Sequence, residues 1–118
     1  MNPDSLTDRE LDMAVARYVF GHEVEERINP RTRQKDALYR LPAGDWVPVP
    51  FYTASLAVSI QVELKLKDHG WKRRGVGTRP MSQRDVLVVL EHRDGRVVEA
   101  SGAFETALCR AALKALTP

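Results

Sequence analysis

The sequence predicts one α+β domain over residues 1–118: a three-stranded antiparallel sheet with helices packed on it, an αβα sandwich, and a long irregular loop after the first helix. Three observations predict it. Two apolar runs, 86–90 and 97–100, flank Asp94-Gly95, a dipeptide that tolerates the positive φ angles of a tight two-residue hairpin turn. With that turn Arg93 lies opposite Arg96, so Leu87, Val89, Val98 and Ala100 share one face and Val88, Leu90, His92 and Val97 the other. Both faces are apolar, and a sheet of that kind needs cover on both sides. Helical-period stripes in the last segment and in 53–70 supply the cover, and 118 residues suffice for one core without disulfide or metal staples.

The first helix starts at Thr7, a cap whose partner three residues on is Glu10, with Leu6 placed to staple onto Leu11. Leu11, Ala14, Val15, Tyr18 and Val19 form its stripe, and Gly21 ends it in a left-handed conformation. Segment 22–50 is charged and carries Pro30, Pro42, Pro48 and Pro50. It reads as irregular, with a short strand near 37–41 or at 46–49. His22-Glu23-Val24-Glu25-Glu26 begins like a metalloprotease helix, but a glutamate stands where zinc needs its second histidine, so no metal is expected.

Segment 53–70 alternates apolar and polar residues from Leu56 to Lys67, which is the period of a strand. Its length, Thr53 as a cap, the Glu63/Lys67 pair and Gly70 as a stop favour a helix, and that reading is taken. Leu56, Ala57, Ile60 and Leu64 then form one stripe and Val58, Val62 and Leu66 another. The second is expected to be buried, under the long loop or, by preference, in a homo-oligomer interface. The strands follow at 71–76, 84–92 and 96–101, with 77–83 as a connection; Gly75-Val76-Gly77 reads as a turn rather than a phosphate loop. The last helix takes Ser101 as cap and packs Phe104, Leu108, Ala111, Ala112, Ala115 and Leu116 on the sheet. Thr106, Arg110 and Lys114 form a row beside that stripe, either a solvated face or a place where Arg110 meets an anion.

Eighteen basic and sixteen acidic residues give a formal charge of +2, a small excess for a chain that tracks a nucleic-acid backbone. The single Cys109 lies mid-helix and reads as a packing residue. No apolar run reaches the length of a spanning helix, and the polar start is no signal peptide, so a soluble cytoplasmic protein is expected. No nucleophile and base stand at recognisable spacing, and no enzyme is expected.

Three stretches together resemble the phage ABA sandwich domain family. These are 11–17 continuing through Val19-Phe20-Gly21; Pro50-Phe51-Tyr52-Thr53 leading through Ala57 and Val62 to Gly70-Trp71; and Ala107-Leu108-Cys109-Arg110-Ala111-Ala112-Leu113. The sequence departs from the family pattern at His22 and Thr106. Phage proteins of similar size and architecture include the Thoeris anti-defence sponges, which bind a cyclic ADP-ribose isomer made by bacterial immunity and hold it uncleaved; some also take up cyclic oligonucleotides. The resemblance implies a phage-type sponge for such a small anionic nucleotide-type ligand, acting in the host cytoplasm without a cofactor. Aromatics that stack on bases and arginines that fork onto phosphates are available in Phe51, Tyr52, Trp71, Arg73, Arg74 and Arg110. Two other readings stand beside it. From Thr53 onward the order of elements is also that of a double-stranded-RNA-binding domain, although Glu105 stands where those domains place lysines. The other is a structural or partner-binding phage protein.

Overall fold

Thr7 opens the first helix as its spacing predicts. In the computed structural model, which describes residues 2–78 and 85–117, the Thr7 side chain accepts from Glu10 N, and Thr7 N donates to the Glu10 carboxylate at 3.0 Å. This reciprocal box caps α1, Asp8–Ala14, and its hydrogen bonds hold the Glu10 carboxyl below its usual range. The helix then widens into a π-helical turn, Val15–Val19, in which Phe20 N donates to Val15 O at 3.2 Å. The extra residue in that turn rotates the apolar stripe. Leu11, Ala14, Val15, Ala16 and Val19 are buried, whereas Tyr18, expected in the stripe, is 47% exposed. Gly21, at φ +70, ends the segment as expected.

Segment 22–50 is not irregular. It folds into an antiparallel sheet, β1 (Val24–Ile28), β2 (Lys35–Arg40) and β3 (Trp46–Pro48), in the order β1-β2-β3. Both places where a single short strand was expected are strands at once. The sequence hides this sheet because it buries so little: Val24 and Ala37, with Val49 just beyond β3, are its buried contributions to the core, and Tyr39 packs against it half-buried. Pro48 is tolerated because β3 is an edge strand.

Segment 53–70 is a helix, α2, Leu56–Asp68, capped by Ser55 rather than Thr53; Ser55 Oγ accepts from Val58 N at 3.3 Å. Val62 and Leu66 are buried in this chain's own core, together with Ser59. The stripe left outside is the other one. Leu56, Ile60 and Leu64 are 55%, 49% and 56% exposed.

The second sheet comprises β4 (Trp71–Thr78), β5 (Val86–His92) and β6 (Val97–Gly102), antiparallel in the order β4-β5-β6. The α+β class and these three strands are as the sequence predicts. Gly75-Val76-Gly77 lies inside β4 and is not a turn; the rest of the expected connection, together with Arg84, lies outside the described residues. The hairpin register differs by one residue. His92 N donates to Arg96 O at 2.8 Å, so Arg93, Asp94 and Gly95 form a three-residue loop, with Gly95 at φ +99. The pairs are then Val88↔Ala100 and Leu90↔Val98. That slip gathers the four apolar residues on one face and leaves Leu87, Val89 and Glu91 with Val97, Glu99 and Ser101 on the other. The second face mixes polar and apolar residues, as a partly solvated sheet does, so the doubly apolar hairpin was a product of the wrong register.

The last helix, α3, Phe104–Leu116, starts after Ala103, and Ser101, expected as its cap, belongs to β6. It packs on β5 and β6, with α2 beside it and α1 and the π turn against it from the other side. Being covered on both sides, it buries Thr106, Ala107, Leu108, Cys109, Ala111, Ala112 and Leu113, more than the single stripe expected.

Candidate functional site

Trp71 and Arg73 stand two residues apart on β4 and therefore point to the same face of the sheet, toward the helices. Trp71 is buried, with His92 edge-on at 5.0 Å between ring centroids. Arg73 lies further out, where its guanidinium sits 5.2 Å over the Phe104 ring and its Nε is 3.3 Å from Glu63 Oε1 on α2. This is a charge contact without hydrogen-bond alignment, and Glu63 Oε1 is buried with no hydrogen-bond partner among the described residues. A buried carboxylate oxygen in that condition is costly, and it faces a groove.

The Glu63/Arg73 pair divides the groove between α2, β4 and the start of α3 into two clefts. One, of about 370 Å³, is lined by Leu56, Ile60, Phe104 and Leu108 beside the pair. The other, of about 160 Å³, adds Leu66, Lys67, Trp71 and Lys72. An apolar half and a cationic half thus meet at one arginine. Such a groove can take a flat apolar group at one end and an anionic group at the other.

The other residues singled out in the sequence lie elsewhere. A change of register between Arg73 and Gly75 marks a bulge at Arg74, whose Nε lies 3.9 Å from Glu91 Oε2. Arg110 donates from Nη1 to Ser101 O at 3.0 Å, while its buried Nε has no partner among the described residues. Its cleft also contains Asp4, Glu99 and Lys114, and Lys114 Nζ binds Asp4 at 2.9 Å and Glu99 O at 3.0 Å. The row Thr106, Arg110, Lys114 therefore leans on β6 instead of facing solvent, and its acidic neighbours oppose a phosphate. Phe51 is exposed beneath the Arg9 guanidinium, 4.2 Å from its ring centroid. Tyr52 is buried and stacked on Phe20 at 5.3 Å, and burial pushes its hydroxyl far above the usual tyrosine range. The structure thus brings Trp71 and Arg73 together and leaves Phe51, Tyr52, Arg74 and Arg110 outside the groove.

Glu63, Lys67, Lys72 and Phe104 complete the groove, and sequence reasoning assigned none of them to it. Glu63 and Lys67 satisfied a helical ion-pair spacing, yet Glu63 turns across to β4 instead. The signal that could have found the site is the i,i+2 pair Trp71/Arg73 following directly on a helix.

No family model matches the chain, and no curated protein matches it. Among solved structures its fold is similar to a crystal structure described as a phage protein from Bacillus cereus ATCC 14579. The TM-score is 0.72 at 17% identity, covering 97% of this chain and 91% of that one. At that identity the likeness establishes the fold.

Proposed function

We propose that this chain is a phage-type binding protein that holds a small anionic nucleotide-type ligand in the groove between α2 and β4 and releases it uncleaved. The observation that carries the reading is Arg73, placed between an aromatic ring and a carboxylate at the junction of an apolar and a cationic cleft. A base would lie in the Phe104 half, and phosphate would draw Arg73 toward Lys67 and Lys72. Cyclic ADP-ribose isomers and cyclic oligonucleotides fit this division, so the role proposed is one against bacterial immunity; the similar fold of a phage protein supports the phage-type part of the reading alone. Leu56 and Ile60 line the apolar half and continue into the exposed row on α2, so a second copy of the chain packed on that row would close the groove.

Calorimetry against a panel of those ligands tests the reading, with chromatography of the ligand after heat release. A charge-assisted contact is worth about 1.5–3 kcal/mol, so Arg73→Ala should weaken binding by roughly ten-fold to a hundred-fold, and it should also lower the melting temperature, because Glu63 loses its cationic neighbour. Arg110→Ala should bind as the wild type does. Silence across the panel would end the proposal, and a cleaved product would make the protein an enzyme.

A further inference from the structure

The hairpin joining β1 to β2 carries the sequence Arg27-Ile28-Asn29-Pro30-Arg31-Thr32-Arg33-Gln34-Lys35, four cations with no acid among them. From residue 25 to residue 36 nothing is buried, so this two-stranded ribbon stands clear of the core. Its tip is nonetheless held firmly. Asn29 N donates to Gln34 O at 2.8 Å, Arg33 N to Asn29 O at 2.8 Å, Arg31 N to Asn29 Oδ1 at 2.9 Å, and Asn29 Nδ2 to Asp36 Oδ2 at 3.2 Å. Arg33 adopts φ +58, the one positive-φ residue other than glycine among those described. Arg27 is engaged, paired with Glu25 at 3.0 Å and lying over the Trp46 ring at 4.7 Å. Arg31, Arg33 and Lys35 make no ion pair among the described residues.

We infer that this ribbon is a contact surface for duplex DNA. Three unpaired cations carried on and beside one hydrogen-bonded turn suit a row of phosphates, to which arginine forks readily. A two-stranded ribbon matches the B-form major groove, about 12 Å wide, whereas the deep, narrow major groove of A-form RNA excludes it. The tip offers little apolar surface beyond Ile28 and Pro30 for entering a lipid layer. Asp36, tied to Asn29, offsets one cation of the tip, and Glu23, Glu25 and Glu26 lie toward the base of the ribbon, so the remaining basic surface is confined to the tip of a chain whose formal charge is only +2. The ribbon shares no residue with the α2–β4 groove, so either site can fail without the other.

The test is anisotropy of a labelled duplex DNA two helical turns long, with duplex RNA of the same sequence and phosphatidylserine vesicles in parallel. Three phosphate contacts predict a log–log salt slope of about −2.7, an affinity loss of about forty-fold between 50 and 200 mM salt. The combined variant Arg31→Ala, Arg33→Asn and Lys35→Ala should flatten that slope and keep the wild-type melting temperature, asparagine being at ease at positive φ. No DNA binding at the lowest salt, tighter binding to RNA or vesicles, or unchanged affinity in the variant would each overturn the inference.

Discussion

Folding takes the Cys109 thiol and the Tyr52 hydroxyl out of water. Burial, followed by nearby negative groups, raises the thiol and the hydroxyl far above their ordinary values of 9.0 and 10.0. Each group therefore holds its proton more tightly when folded than when unfolded. The stability this represents is complete below pH 9 and falls as pH climbs through 9 and then 10, where the unfolded chain ionises and the folded one does not. Urea midpoints should be level from pH 7 to 8.5 and decline steadily toward pH 11. Cys109→Ala should remove the part of the decline that begins near pH 9, and a flat midpoint in the parent would show that neither group keeps its proton.

At the scale of elements, α2 is the sharpest case, because one helix has a buried row and an exposed row built from the same residue types. Val62→Glu would place an uncompensated charge in the core and should unfold the chain rather than merely dissociate an assembly. Ile60→Glu is outside the core and should leave the melting temperature within a few degrees. If the exposed row is where copies meet, sedimentation should show Ile60→Glu lighter than the wild type, and equal masses would remove the α2 row from assembly. Which row faces inward was not legible in the sequence: Leu56, Ile60 and Leu64 are no more polar than Val58, Val62 and Leu66, and the choice is made by where β4 and α3 lie. The caps were more legible than the registers. Thr7/Glu10 and Gly21 declare themselves locally, whereas one added loop residue at Arg93 moved Val98 and Ala100 to the opposite face of the sheet. The groove was half legible, through Trp71 and Arg73, because its other wall comes from residues whose local spacing had a sufficient explanation of its own.

For the whole molecule, measuring 45 × 32 × 26 Å, the decisive joint is the one between α1 and the layers around it. Asp12 Oδ1 accepts from Thr53 N at 2.9 Å, Arg9 donates to Val49 O at 2.8 Å and Arg17 to Val24 O at 3.2 Å, so the first helix holds the small sheet and the lead into α2 together. The π turn follows the first two of these anchors and carries the third, Arg17. An i→i+5 turn accommodates one residue more than an α turn, and the residue it turns outward is Tyr18. The chain thus carries a spare link at this point. Deleting Tyr18 outright should let the turn close as ordinary α-helix with Phe20 still seated on Tyr52, and the shortened protein should melt cooperatively within a few degrees of the parent. A deletion that abolished cooperative melting would mean that the wide turn is required by the packing around it. If the shortened protein folds, the first helix records an inserted residue that the fold absorbed without moving anything downstream, and the same position is where a further insertion or a label could enter the chain at least cost.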